Sequence, residues 1–251
     1  MNGFGKGSLR LLSFGKTDTG LKRSNNEDRF ISRPEIGLFA VADGMGGAAA
    51  GEVASQIFAE TVSEVLAEKG RAAGQETLNL IQEVFRLANE RILNHVKENS
   101  QHRGMGCTAE LLVFDQGRYV LGHVGDSRTY LFRQGELKQL TLDHSLVQDQ
   151  VDRGLITAQE AKKHSLRNVI LRAVGVNEIL AVDLIRGKGL PGDLLLLCSD
   201  GLTDMVDDSS IGDVLSRSLS VVQKAETLIE LAKSAGGHDN ITVVLCEVMA
   251  S

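Results

Sequence analysis

Residues 37–47 read GLFAVADGMGG, and the fold turns on what this stretch becomes. Gly37 to Ala42 has the length and apolar content of a strand. Asp43-Gly44 then breaks it, since both residues tolerate the backbone of a turn. Gly44-x-Gly46-x-x-Ala49, lying between this strand and a helical pattern, imitates a dinucleotide-binding loop. Such a loop needs a second parallel strand and an acidic residue about 20 positions on. Residues 51–98 read instead as two consecutive helices. Asp43 would also set a negative charge against a pyrophosphate, so the Rossmann reading fails.

The helices declare themselves by period. In Gly51 to Lys69, Val53, Ile57, Thr61 and Val65 recur every four residues, and Phe58, Val62 and Leu66 widen the stripe. In Gln75 to Glu98, Leu78, Ile81, Phe85, Ala88, Ile92 and Val96 do the same. Working outward, strands are predicted over Leu9–Phe14, Phe30–Ser32, Thr108–Phe114, Arg118–Val124, Thr129–Arg133 and Glu136–Leu142. Gln116-Gly117 and Gln134-Gly135 supply hairpin turns. A mixed segment of about 145–175 holds a short helix ending at Gly154 and a Thr157-x-x-Glu160 capping box. Strands return at Ile179–Arg186, Asp193–Cys198 and Ile241–Val248, with a helix over Val221–Lys233. The two Pro, with no linker tract and no repeat, predict one domain over 10–249 behind a Gly-rich tail at 1–9. The expected class is α+β, an antiparallel sheet with segregated helices.

With 251 residues, 42% apolar and 24% charged, the chain can bury a sizeable core, which excludes disorder and disulfide scaffolds. The 27 Lys and Arg against 33 Asp and Glu give a net charge of -6, so no overall positive field draws nucleic acid or anionic lipid. Cys107, Cys198 and Cys246 are far apart in apolar runs and read as reduced core thiols of a cytoplasmic protein. No apolar stretch approaches a membrane span.

Three apolar strands run into carboxylates: Leu38–Ala42 into Asp43-Gly44, Leu194–Ser199 into Asp200-Gly201, and Tyr119–Gly125 into Asp126. Asp239 stands just before the last strand. Each alone is an ordinary turn signal. Together they are different, because strand ends lie side by side and several unpaired carboxylates there would repel unless a cation sat among them. Oxygen donors without clustered Cys or His favour Mg²⁺ or Mn²⁺ over Zn²⁺. Upstream, Arg23-Ser24-Asn25-Asn26-Glu27-Asp28 adds an arginine whose planar fork suits two phosphate oxygens. The combination suggests phosphoryl chemistry.

Other motifs fail on spacing. Gly15-Lys16-Thr17 would end a phosphate-binding loop, but the glycine required five positions before Gly15 is Arg10. None of the six His shows zinc spacing, and His144 and His238 read as structural or surface residues. Ser127 and Ser199 lack a nucleophile elbow.

In order along the chain, Arg23–Asp28, Ala42–Gly47, Gly51–Ser55, Met105–Thr108, Val124–Arg128, Cys198–Leu202 and Asp239–Thr242 resemble the motifs of the protein phosphatase 2C (PPM) family of metal-dependent Ser/Thr phosphatases, in its bacterial form. The resemblance runs from about Leu11 to Val248. It implies a central antiparallel β-sandwich with helices on both outer faces, a four-layer α-β-β-α arrangement. It implies two Mn²⁺ or Mg²⁺ ions at one end of the sandwich, with Asp43 bridging, the Gly44 carbonyl completing one site, and Asp200 and Asp239 holding the other. Asp126 with Asp200 would form a weaker third metal site. Glu27 and Asp28 would act through metal-bound waters, with Asn240 behind them, and Arg23 would bind the substrate phosphate.

The implied mechanism is attack by a metal-bridging hydroxide on phosphoserine or phosphothreonine, without a phosphoenzyme. The implied partners are phosphorylated proteins and an opposing bacterial Ser/Thr kinase, met by a monomer. Two departures bear on the proton donor. Met45 stands where eukaryotic members carry His after Asp-Gly, and Ala48 stands where bacterial members often carry one, leaving a metal-bound water as donor. Cys107 replaces a common Thr. The 145–175 segment corresponds to the family's variable flap beside the site.

Overall fold

A computed structural model describes residues 9–46, 50–68 and 75–250. The expected tail through Ser8, Ala48 and the Lys69 end of the first predicted helix lie outside them. In chain order the elements are β1 (Arg10–Asp18), β2 (Arg29–Arg33), β3 (Leu38–Ala42), β4 (Gly44–Met45), α1 (Gly51–Glu68), α2 (Gln75–Glu98), β5 (Gly106–Cys107), β6 (Ala109–Asp115), β7 (Arg118–Val124), β8 (Arg128–Arg133), β9 (Glu136–Gln139), α3 (Leu146–Asp152), α4 (Ala158–Ala161), β10 (Asp183–Lys188), β11 (Leu194–Cys198), α5 (Asp200–Thr203), α6 (Asp208–Ser216), α7 (Val221–Ser234) and β12 (Ile241–Met249).

Two five-stranded sheets are ordered β1-β12-β11-β8-β9 and β10-β7-β6-β3-β2, every pairing antiparallel. Their inner strands are buried on both faces, so the apolar residues there alternate in destination rather than in polarity. In β3, Phe39 and Val41 enter the core between the sheets, while Leu38, Ala40 and Ala42 join the core under α1 and α2. In β11, Leu195 and Leu197 face the other sheet, and Leu194, Leu196 and Cys198 face α5, α6 and α7. Three cores between four layers result, the α-β-β-α arrangement that the family resemblance implies. The three cysteines are free and buried within them. Among the described residues no helix is long and apolar enough to cross a membrane.

The turns have local causes. Gln116-Gly117 and Gln134-Gly135 both carry positive φ at both residues, the twist that joins antiparallel strands by two residues. The Thr157–Glu160 capping box forms as predicted, and a second, Ser220 with Gln223, opens α7.

Three expectations need correction. The strand predicted over Ile179–Arg186 begins only at Asp183: Ile179 is 91% exposed, and Leu180 and Val182 pack against the helix-side core without joining the ladder. The strand predicted to reach Leu142 stops at Gln139. Helix α6 has no counterpart among the predicted elements, because its start, Asp207 to Ser210, has turn composition, although Asp207 caps it through the Ser210 N–H.

Leu195 is fully buried between the sheets. Leu195→Ala should cost about 2–5 kcal/mol, read as a lower urea midpoint with an unchanged slope.

Candidate metal and phosphate site

The sandwich gathers strand ends from both sheets at one place. Asp43 follows β3 and Asp126 follows β7 in one sheet; Asp200 follows β11 and Asp239 precedes β12 in the other. Asp28 enters just ahead of β2, whose first residue pairs with Ala42. The convergence is thus between two sheets, wider than the single sheet edge that sequence spacing suggests.

Hydroxyls fix the acids from behind. Ser199 Oγ and Thr242 Oγ1 both donate to Asp28 Oδ2, at 2.8 and 2.6 Å. Thr242 N donates to Ser199 Oγ at 3.0 Å, so this serine holds an aspartate instead of capping α5. Thr108 Oγ1 accepts from the Asp43 amide at 3.1 Å, and the Thr108 amide returns a bond to the Asp43 carbonyl at 2.9 Å. Asn240 ties the ends of the chain together: its Oδ1 accepts from the Glu27 amide at 2.8 Å, and its Nδ2 donates to the Thr19 and Asn25 carbonyls. These hydroxyls lie within the motifs, but their signal is weak, a small polar residue at a position otherwise apolar.

Gly44 and Gly201 are required by contact. A β-carbon at Gly44 would collide with the Gly51 and Glu27 carbonyl oxygens, and one at Gly201 with the Asn240 carbonyl. The glycines therefore let three strand-end segments close on one another.

The carboxyls are electrostatically crowded. Burial, then Asp28, Asp200, Asp126 and Asp239, drives Asp43 well above the usual carboxylate range. Burial, then Asp126 and Asp239, does the same to Asp200. Burial first, with Asp239 adding, pushes Asp28 up to about 6 despite its hydroxyl partners. Asp126 is pushed up to about 7 by burial and then Asp143. Glu27 is raised by burial. One buried oxygen each of Asp28, Asp126 and Asp200 lacks a hydrogen-bond partner. Unpaired acidic oxygens at this density call for a cation.

The donor set suits a hard divalent ion. Among the described residues, no three His, Cys, Asp or Glu side chains converge tightly enough to enclose an ion unaided. Any ion here therefore needs oxygens beyond those of the carboxylates, from backbone or water. Arg23, half exposed at the rim, donates from Nη2 to Asp239 Oδ2 at 2.7 Å, which raises its own affinity for protons. A cleft of about 710 Å³ leads from Asp126 and Asp200 between α3–α4 and residues 203–208. His144 is a partly buried, hydrogen-bonded residue, accepting from the Gly125 amide at 3.1 Å, and His238 is exposed, both as expected.

The sequence profile described as Protein phosphatase 2C matches residues 22–235, most of the chain and every aspartate of the cluster except Asp239. The chain belongs to the protein phosphatase 2C family. It is 41% identical over 242 residues to the serine/threonine protein phosphatase PstP of Mycobacterium tuberculosis, covering 96% of this chain and 46% of that protein. It thus spans about half the length of that relative. It is 37% identical to the serine/threonine phosphatase stp of Listeria monocytogenes, covering 92% of this chain and 94% of the relative. The crystal structure of M. tuberculosis PstP/Ppp superposes with a TM-score of 0.90 at 40% identity, covering 96% of this chain and 99% of that one. A structure of the PstP catalytic domain in complex with two manganese ions gives 0.88, also at 40% identity, over 96% and 100%.

The raised carboxyls make stability depend on pH in a definite direction. Asp28, Asp43, Asp126 and Asp200 all bind protons more readily in the folded chain than in the unfolded one. The contribution of Asp28 and Asp126 is present below about pH 4 and is lost as pH rises through about 6–7, and Asp43 and Asp200 act in the same direction. His144, lowered to about 4 by burial and then by His123 and Arg172, acts oppositely but is a single group. In EDTA, the urea midpoint should therefore be higher at about pH 5.5 than at about pH 7.5. A midpoint that climbs with pH across this range would refute the crowding.

Proposed function

We propose that this chain is a metal-dependent protein serine/threonine phosphatase that hydrolyses phosphoserine and phosphothreonine and opposes a bacterial Ser/Thr kinase. The observation that carries the proposal is the convergence of Asp28, Asp43, Asp126, Asp200 and Asp239, with unpartnered buried oxygens, beside Arg23. Asp43, the Gly44 carbonyl, Asp200 and Asp239 would hold two Mn²⁺ or Mg²⁺ ions, and Asp126 with Asp200 a weaker third. Glu27 and Asp28 would act through water, with Asn240 holding the Glu27 amide. When bound, such ions activate water as a nucleophile near neutral pH and offset charge on the phosphoryl oxygens.

The protein's own groups supply position and charge. Arg23 sits at the mouth with only Nη2 committed to Asp239, so the rest of its guanidinium can take phosphoryl oxygens and orient phosphorus for in-line attack. The Ser199 and Thr242 hydroxyls keep Asp28 in one rotamer, so the acids need no reorganisation when substrate arrives. Met45 carries no transferable proton, so protonation of the leaving alkoxide falls to water rather than to the turn after Asp43. The flap, residues 145–175, borders the cleft beside Asp126 and Asp200 and would choose among phosphoproteins. We further propose that the enzyme works as a cytoplasmic monomer, a setting that fits its three reduced, buried thiols.

With Mn²⁺, the protein should hydrolyse p-nitrophenyl phosphate and phosphothreonine peptides. EDTA, Asp43→Ala or Asp200→Ala should lower kcat by at least about a hundredfold. Full activity in EDTA would overturn the proposal. Arg23→Ala should mainly raise KM, since it removes a phosphate contact at the rim. Replacing residues 145–175 with the flap of a relative of different preference should change the ratio of kcat/KM among phosphopeptides; unchanged ratios would remove the flap from specificity.

A further inference from the structure

At the other end of the sandwich a cavity of about 500 Å³ lies where β7 and β10 meet the first turn of α2. Arg118, Arg186, Lys188, Gln75 and Thr77 line it, with Asp115 at one side. Arg118 opens β7 and Asp126 lies two residues past its end, so this cavity is about 25 Å from the acidic site at the usual strand rise.

The register explains how the cations come together. Lys188 is directly opposite Arg118, and Arg186 is opposite Val120. Val120 belongs to the core under α1 and α2. Strand parity therefore sends Arg118, Arg186 and Lys188 out on that same face, beyond the start of the helix. Like charges directly opposite each other in an antiparallel pair are destabilising. No ion pair among the described residues engages any of the three. Asp115, opposite Arg118 on its other flank, is a single carboxylate with contacts of its own.

Strand β10 is a sheet edge, and cations on an edge deter further strand addition. That accounts for a charge on β10, but not for setting Lys188 against an arginine of the inner strand. In a chain with net charge -6, three cations around one cavity are also a local reversal of sign.

We infer that this cavity binds a phosphate-type dianion. Two guanidinium forks and an ammonium offer donors that pair with phosphoryl oxygens, and Gln75 adds a neutral hydrogen-bonding group. The ligand is a phosphoryl group, either free inorganic phosphate or one carried on a phosphorylated polypeptide. The site is separate from catalysis, so its test is independent of the phosphatase reading.

The full chain, kept in EDTA to prevent hydrolysis, is titrated while backbone amide signals are followed by NMR. The probes are inorganic phosphate, a phosphothreonine peptide, the same peptide unphosphorylated, and sodium chloride at matched ionic strength. Phosphate and phosphopeptide should shift the amides of Gln75, Thr77, Arg118 and Lys188 to saturation; chloride and the unphosphorylated peptide should not. Tighter binding of the phosphopeptide assigns the cavity to phosphorylated segments, and equal or weaker binding assigns it to the free ion. Arg118→Gln combined with Lys188→Gln should weaken binding at least about tenfold, the scale of one charge-assisted hydrogen bond. The spectrum reports the fold of the variant, and Arg186→Gln, on the exposed edge, provides a second test. Absence of saturable shifts at these amides in the unaltered chain, or undiminished affinity in both variants, would overturn the inference.

Discussion

Repulsion among the carboxyls of Asp28, Asp43, Asp126 and Asp200 is the constraint on which this end of the molecule depends. Left in water these groups would separate. Here each follows or precedes a strand whose other residues are locked in one of three apolar cores, so the acids cannot move apart without unpacking a sheet. The sandwich holds the acids close together, and a cation would relieve this crowding. The hydroxyls of Ser199, Thr242 and Thr108 have two effects at once. They orient the acids, and they leave one oxygen of Asp28 to meet something else.

Much of this was legible in the sequence, for uneven reasons. Strands buried on both faces are continuous apolar runs, so Leu38–Ala42 and Leu194–Cys198 stand out, and the period of α1 and α2 is plain. Asp43, Asp126 and Asp200 could be found because each closes such a run, whereas Asp28 and Asp239 stand just ahead of a strand. Their partners could not, because Ser199 and Thr242 are ordinary residues until the last strand places them against Asp28. Helix α6 was hidden by a polar cap and only three buried apolar positions, Ile211, Val214 and Leu215. At 179–182, alternation reported contact with the core and not strand pairing, since a segment can bury Leu180 and Val182 without a neighbour for its backbone. The ion pair of Arg23 with Asp239, 216 positions apart, depends on topology that spacing does not carry.

The two ends of the sandwich have opposite electrical character. Where β3, β7 and β11 finish, the lining is acidic; where β7 begins and β10 finishes, cations stand side by side. Strand register creates both, since antiparallel neighbours place the start of one beside the finish of the next. Net charge conceals this arrangement, because a mildly acidic total averages two local extremes.

The pairing of β1 with β12 along nine residues has a consequence for how the protein comes into being. Asn240 grips the backbone at Thr19, Asn25 and Glu27, so the acidic end is bracketed by some of the earliest and latest described residues. During synthesis, a chain that has emerged only as far as His238 has every strand of one sheet and most of the other, but neither Asp239 nor the hydroxyl of Thr242. The acidic constellation is therefore completed only when β12 slides between β1 and β11, after the whole sheet that carries Asp43 and Asp126 has been made.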